Sequence, residues 1–190
     1  MSQPEKDLRS YLQLGLDAGF LSPEDLAEAA LEYDDEIDPA IAAPIISRVL
    51  PELIRAKRDA QTHWPAITDC DRLDQAFAKL TQAGIVARQD FTCCTNCGSA
   101  EICAEMKDEE ETGVVVRGYT FYHQQDTESA VEGFGLCLAY GAIDGTEAAA
   151  LSVAAEIVAT LAQHGLTTTW DGTIIKKIEV SLDWKRRLSL

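Results

Sequence analysis

A strand–helix–strand pattern over residues 85–123 constrains the fold of this chain more than any other feature. Residues 85–91 begin with the apolar run IVA, and residues 114–123 (VVVRGYTFYH) are rich in the β-branched and aromatic types that strands favour. About 20 residues separate the two segments, which is enough for a helix that connects parallel strands. The pattern predicts two parallel neighbouring strands whose carboxyl ends lie at the same edge of a sheet.

Residues 1–62 predict a helical N-terminal region. Leucine recurs at four-residue spacing near its start, which is typical of a helix with one apolar face. Three helices are predicted, over residues 5–19, from Ser22, and over residues 40–61, with a linker over 32–39 before the third. Ser22 is expected to cap the second helix, and Pro23 suits its first turn. Pro51, inside the third helix, predicts a kink or a restart.

Residues 63–190 predict a domain in which strands and helices are mixed. The apolar run over 134–142 predicts a buried strand, and the capping residues Thr68 and Thr146 are expected to begin two helices. An Asp-Gly dipeptide at 171–172, between two strand-like segments, predicts a closing hairpin. The chain is therefore predicted to be an α+β protein: an N-terminal helical region, then a mixed β-sheet of about five strands with packed helices and a C-terminal β-hairpin.

A cluster of three cysteines falls where the first of the two parallel strands gives way to the helix. They lie in the segment FTCCTNCGSAE and are Cys93, Cys94 and Cys97. Thr92 is expected to cap the helix, which is predicted to run over 93–106 before a solvated loop over 107–113. The free backbone N–H groups and the positive dipole end of a helix N-terminus favour thiolate over thiol. This position therefore predicts a lowered pKa for one or more of the three thiols.

A histidine ends the second parallel strand. His123 is followed by Gln124, Gln125 and Asp126. With the two strands parallel, the three thiols, His123 and Asp126 are expected to converge at the sheet edge where ligands bind in open α/β sheets. Zinc takes four nitrogen or sulfur ligands in a tetrahedron, or three and a water molecule at a catalytic site. Cys94 and Cys97 form a CxxC half-site that His123, together with Cys93 or Cys103, would complete. The cluster predicts a metal site with zinc as its cofactor, formed by Cys93, Cys94, Cys97 and His123.

A thiol–disulfide function is the first alternative. Cys94 and Cys97 form a CxxC pair at the start of a helix, as in redox proteins of the thioredoxin type. The thioredoxin fold also needs a cis-proline facing that pair, and no proline follows Pro65 in this chain. The pattern disfavours a true thioredoxin fold and leaves a simpler redox switch open.

The second alternative gives the cysteines no chemical function. Cysteine also serves as a small apolar filler in turns and cores, and Cys70, Cys103 and Cys137 are interpreted in this way. If the same holds for the cluster, the protein is a non-catalytic acidic protein that meets a basic protein partner through its surface. The residues leave these alternatives, and with them the question of enzymatic activity, open.

The charge balance and the apolar pattern limit the partners and the location. Acidic residues outnumber basic ones by 32 to 16, which gives a formal net charge of −16. A charge of this sign repels phosphate backbones, so nucleic acid is not expected as a general partner. No apolar run approaches the roughly 20 residues that span a bilayer, and the polar N-terminus lacks the pattern of a signal peptide. We therefore expect a cytoplasmic protein without a membrane segment.

Four segments of the chain resemble a known family. FTCCTNCG, GYTFYHQQDTESAV, TTWDGT and LDWKRR are similar to segments shared by a family of uncharacterised bacterial proteins. The resemblance covers roughly residues 64–187 and implies no activity. It implies that a set of residues forms a shared motif: Cys93, Cys94, Cys97, His123, Gln125 and Asp126.

Overall fold

The computed structural model of this chain describes residues 2–34 and 37–188. The chain divides into two compact units, one of Met1–Ala66 with Lys185–Leu190 and the other of Ile67–Trp184. The first unit is helical, and the second combines a five-stranded sheet with helices. The α+β class predicted from the sequence is confirmed.

Within the described residues, three helices form the first unit. They are α1 (Gln3–Ala18), α2 (Pro23–Leu31) and α3 (Pro39–Gln61). The leucine spacing seen in the sequence buries Leu8, Leu12 and Leu16 on one face of α1. Each helix begins at a polar residue whose side chain accepts a backbone N–H of the first turn, and these residues are Ser2, Ser22 and Asp38.

Helix α3 continues through Pro51 without a restart, so the restart is excluded and the kink at Pro51 stays a prediction. Pro44 and Pro51 leave the carbonyls of Ala40 and Ser47 without a helical donor, and both of these residues are exposed, so water can bind the two carbonyls. Residues 35 and 36 of the predicted linker lie outside the described residues, and Asp38 near its end caps α3.

The second unit alternates helices and strands along the chain. In order they are α4 (Asp69–Gln82), β1 (Ile85–Arg88), α5 (Thr95–Glu111), β2 (Gly118–Phe121), α6 (Gln124–Val131), β3 (Leu136–Ala142), α7 (Glu147–Gln163), β4 (Thr167–Thr169) and β5 (Ile178–Ser181). The strands form one sheet in the order β1-β2-β3-β5-β4, in which β1 and β2 are parallel and the other neighbours are antiparallel. The predicted mixed sheet of five strands is confirmed. The predicted caps Thr68 and Thr146 begin α4 and α7.

The parallel pairing of β1 and β2, connected through α5, is also confirmed. Ile85 pairs with Gly118 at one end of the two strands, and Arg88 pairs with Phe121 at the other. Beyond the strands, the Phe91 N–H donates to the Tyr122 carbonyl at 2.8 Å, and the Gln124 N–H donates to the Thr92 carbonyl at 3.1 Å. The chain segments that follow β1 and β2 therefore stay together, and the starts of α5 and α6 lie side by side.

Helix α5 differs most from its prediction. It begins after Cys94 rather than after Thr92, and it continues to Glu111 through the segment expected to be a solvated loop. Thr92 has a φ of 63°, whereas a helix cap needs an extended backbone. Arg88 in β1 holds the added length to the sheet, because it donates to Glu109 at 2.8 Å, and it also donates to Glu105 in the preceding turn at 2.6 Å. The contact between β1 and α5 therefore explains why the helix ends at Glu111 and not near Met106.

The remaining boundaries also shift by a few residues. Strands β1 and β2 are shorter than the predicted 85–91 and 114–123, and α6 begins at the cap His123 rather than near Asp126. The closing hairpin of β4 and β5 is confirmed, with Ile178 and Val180 buried and Glu179 exposed. Its connection spans residues 170–177 instead of a two-residue Asp-Gly turn.

Candidate functional site

The three clustered thiols lie together at the start of α5. The sulfur atoms of Cys93, Cys94 and Cys97 are all within 4.8 Å of one another. Cys93, which precedes the N-cap of α5, has its Sγ 3.5 Å from the Sγ of Cys97 in the first turn. Among the described residues, this is the one group of His, Cys, Asp and Glu side chains arranged closely enough to share an ion. Cys93 is exposed, while Cys94 and Cys97 are half-buried.

A tight turn between β1 and α5 places the first of these thiols. Asp90 and Thr92 have φ values of 51° and 63°, a left-handed conformation that is unusual for a β-branched residue such as threonine. The start of α6 supports the turn, since Thr127 Oγ1 donates to Asp90 Oδ1 at 2.6 Å. Thr92 Oγ1 also donates to the Cys94 carbonyl at 3.2 Å. The turn directs the chain from the sheet edge into α5 and so brings Cys93 over the first helical turn.

Cys94 is the N-cap residue of α5, with φ −158° and ψ 170°. Its side chain makes no close capping hydrogen bond, yet the pKa of its thiol is lowered, first because the backbone N–H of Cys97 points toward the sulfur. The thiol of Cys97, the backbone N–H of Asn96 and the thiol of Cys93 add to this lowering of the pKa. The lowered pKa predicted from the position at a helix N-terminus is therefore found at Cys94.

Cys97 shows the opposite shift. Hydrogen bonds with the sulfurs of Cys93 and Cys94, and the negative charge of those groups, raise the pKa of the Cys97 thiol to about 11. Three thiolates at this separation repel one another, so the cluster keeps a proton on Cys97 unless a cation joins it. A bound divalent cation removes that repulsion and allows all three sulfurs to ionise.

His123 lies beside this cluster and caps α6. It is 6 % exposed, and it forms a reciprocal capping box in which Nδ1 accepts the Asp126 N–H at 3.3 Å and Asp126 Oδ2 accepts the His123 N–H at 3.2 Å. Nε2 lies 2.9 Å from the Thr95 hydroxyl and 3.1 Å from Asp126 Oδ2. Because Nδ1 accepts a hydrogen bond, the proton of the neutral ring is on Nε2. Burial lowers the pKa of His123, and the nearby Asp126 opposes this shift.

Two residues that sequence reasoning missed complete this polar group. Lys177 Nζ donates to Thr95 Oγ1 at 3.0 Å and lies 4.0 Å from Asp126 Oδ2. Thr95 is the first residue of α5 and follows Cys94 directly. The position of Thr95 inside the CTNC motif could have marked it as a site residue from the sequence. Lys177 is 82 residues away from Thr95, and only the pairing of the strands brings the two side chains together.

The predicted site residues thus fall into two neighbouring groups. The thiols of Cys93, Cys94 and Cys97 form the first, and the group that can share one ion does not include the His123 ring. His123 and Asp126 belong to the second, and Gln125 is exposed in the first turn of α6. The parallel strands on which the expected convergence depends are confirmed. The assignment of His123 as a metal ligand stays a prediction.

The other cysteines lie apart from the thiol cluster. Cys70 is buried in α4, Cys137 is half-buried in β3, and Cys103 is exposed on α5. Burial raises the pKa of the Cys137 thiol. Cys103 lies on the same helix as Cys97 and is exposed like Cys93, which makes it a matched control for experiments on the cluster.

Comparison with known proteins identifies a family but no activity. Residues 1–188 match the family model described as Domain of unknown function (DUF6891). The resemblance to a family of uncharacterised proteins is confirmed, and the match also covers the N-terminal helices that the resemblance left outside. Neither the curated proteins nor the solved structures gave a match to this chain. None of the helices in the described part of the chain has the length and apolar character needed to cross a membrane.

Proposed function

We propose a function for this chain, which belongs to the DUF6891 family: it binds zinc through the thiolates of Cys93, Cys94 and Cys97. The observation that carries the proposal is the convergence of the three sulfurs within 4.8 Å. With a Zn–S bond of about 2.3 Å, two sulfurs on a tetrahedral zinc lie about 3.8 Å apart. The separation of 3.5 Å between Cys93 and Cys97 is close to this value, so only small side-chain movements are needed.

The electrostatics of the cluster support the same function. The start of α5 already favours a thiolate at Cys94. The raised pKa of Cys97 means that its thiol carries a proton at neutral pH. A bound zinc ion would displace this proton, because a thiol must lose its proton to become a metal ligand. Thiolate sulfur is a soft ligand, for which zinc competes well and magnesium and calcium do not.

The fourth coordination position falls to a ligand from outside the cluster. Both ring nitrogens of His123 make contacts within the protein, Nδ1 in the cap of α6 and Nε2 at Thr95. The exposed position of Cys93 leaves the cluster open on one side, where water can reach a bound ion. Zinc with three protein ligands and an open position is the arrangement of catalytic rather than structural sites.

Zinc binding by the full chain tests this proposal. Purified protein is titrated with zinc against a chromophoric chelator, and C93A, C94A and C97A are compared with C103A. We expect one zinc ion per chain. Each cluster variant should lose zinc affinity on the order of a hundredfold or more, because a few thiolate ligands supply most of the binding free energy of such a site. C103A should bind like the unchanged protein. Equal behaviour of all four variants would rule out the cluster as the zinc site.

A thiol–disulfide function is the second candidate, favoured by the opposite pKa shifts of Cys94 and Cys97. The Cys94 thiolate attacks one sulfur of a substrate disulfide, forms a mixed disulfide and expels the first substrate thiolate. Cys97 then loses its proton and attacks the Cys94 sulfur. That step releases the second substrate thiolate and leaves a Cys94–Cys97 disulfide. Two electrons pass from the dithiol to the substrate disulfide.

Trapping of the mixed disulfide tests this second candidate. Incubated with a small aromatic disulfide, C97S should accumulate a mixed disulfide on Cys94, since the thiol that resolves it is missing. C94S should accumulate little mixed disulfide on Cys97, because the raised pKa of that thiol keeps it protonated. Equal trapping in C94S and C97S would exclude a directed exchange reaction.

A further inference from the structure

We infer that Thr95 is a positioning residue for the thiol site, held in place by His123 and Lys177. The inference rests on the proposed zinc function. The Thr95 hydroxyl lies 2.9 Å from His123 Nε2 and 3.0 Å from Lys177 Nζ. His123 belongs to the start of α6, and Lys177 directly precedes β5. Two elements distant in sequence therefore meet at the residue that follows Cys94.

The donors and acceptors fix the direction of these hydrogen bonds. An ammonium group only donates, so Thr95 Oγ1 accepts from Lys177. His123 Nδ1 accepts the Asp126 N–H, so Nε2 carries the proton and points it toward the oxygens of Thr95 and Asp126. A hydroxyl oxygen has two lone pairs and can accept from both donors. Valine has the shape of threonine but accepts neither hydrogen bond.

Charge and burial make this contact an ordered one. The side chains of His123 and Asp126 are 8 % and 12 % exposed, and that of Lys177 is 34 % exposed. The carboxylate of Asp126 lies 3.1 Å from His123 Nε2 and 4.0 Å from Lys177 Nζ. Polar contacts sheltered from water in this way are stronger and more directional than contacts on an open surface.

The consequence falls on the sulfurs of the cluster. Thr95 is the first residue of α5, and Cys94 and Cys97 stand on either side of it in the first turn. Fixing the Thr95 hydroxyl fixes the rotation of that turn and with it the directions of the two side chains. Residues that orient metal ligands without binding the metal typically change affinity by about 10–100-fold when they are removed.

The test compares Thr95→Val with Thr95→Ser in the full chain. Zinc affinity is measured by competition with a chromophoric chelator, and thermal denaturation shows whether each variant is folded. We expect T95V to bind zinc at least about tenfold more weakly and T95S to bind within about twofold of the unchanged protein. The loss in T95V combined with K177M should be smaller than the sum of the two single losses, because both remove one contact. Unchanged binding by T95V, or equal losses in T95V and T95S, would overturn the inference.

A second measurement separates this inference from the zinc proposal. If the unchanged protein takes up no zinc, the proposed function fails, and the pH at which Cys94 is alkylated by iodoacetamide becomes the readout. A shift of that pH in T95V but not in T95S supports the positioning role, because the first turn of α5 sets the N–H groups that face Cys94. The same alkylation profile in all three proteins would overturn it.

Discussion

Cys93 Sγ, just before the start of α5, lies 3.5 Å from Cys97 Sγ in the first turn of that helix. This contact exists because the chain turns sharply at Asp90 and Thr92 before the helix begins. It places two soft ligands at a separation that one zinc ion can bridge. The third sulfur, on Cys94, joins them at the helix N-terminus. The proposed chemistry of the protein depends on this arrangement.

Zinc affinity should rise with pH. The Cys97 thiol, whose pKa is raised to about 11, is protonated at neutral pH and must release its proton to bind zinc. Its contribution strengthens binding by about tenfold for each pH unit up to that pKa. Chelator competition at several values between about pH 6 and 9 measures the slope. An affinity that stays flat over this range would show that Cys97 is not a ligand.

Cys94 should be the first thiol of the cluster to react as pH rises. Its lowered pKa gives it more thiolate at neutral pH than an ordinary cysteine. Alkylation with iodoacetamide over a pH series, followed by peptide mass spectrometry, assigns the modified residues. The exposed Cys103 serves as the internal reference for a thiol outside the cluster. Modification of Cys103 at a lower pH than Cys94 is the result that this prediction does not allow.

Gly98→Ala should destabilise the second unit. Gly98 is buried in α5, and a Cβ atom there would lie 2.5 Å from the ring of Phe121. Overpacking of this kind costs about 1–3 kcal/mol, more than the gain in helix propensity from glycine to alanine. Urea denaturation measures the change in the free energy of unfolding. S99A, at the next and exposed position, should change it little.

A compensating variant distinguishes overpacking from a backbone effect at Gly98. Phe121→Leu makes room at the contact, so G98A should cost less in the F121L background than in the unchanged chain. The same cost in both backgrounds would mean that Phe121 is not what excludes a side chain at this position.

Lys57→Met should destabilise the first unit. The Lys57 side chain is buried, its Nζ donates to the Leu16 carbonyl near the end of α1, and it lies 3.6 Å from a carboxylate oxygen of Asp17. Methionine fills a similar volume but leaves the carbonyl without this donor, at a cost of about 1–3 kcal/mol. Denaturant unfolding provides the measurement, with K6M on the exposed side of α1 as the control. Equal unfolding midpoints for K57M and K6M would contradict the role given to Lys57.

The sequence was sufficient for features that local patterns encode. The strand–helix–strand pattern predicted the parallel pairing of β1 and β2, and it placed the three clustered cysteines where β1 gives way to α5. The caps at Ser22, Thr68 and Thr146 followed from residue type.

Features that depend on contacts between distant elements could not be predicted in this way. Helix α5 is longer than expected because Arg88 in β1 binds Glu109, which lies in the segment interpreted as a loop, as well as Glu105 in the turn before it. Histidine is an uncommon cap, so the role of His123 at α6 was not evident from its type. Lys177 reaches the site only through the order of the strands. Expectations on partners and cellular location stay predictions.

The most direct test of the central claim is X-ray absorption at the zinc edge on the zinc-loaded full chain. Three thiolate ligands predict three sulfur neighbours at about 2.3 Å and one lighter neighbour at a shorter distance. Removal of Cys97 in C97A should lower the sulfur count by one, whereas C103A should leave it unchanged. A zinc spectrum without sulfur neighbours, or with the same sulfur count in C97A as in the unchanged protein, would contradict the account.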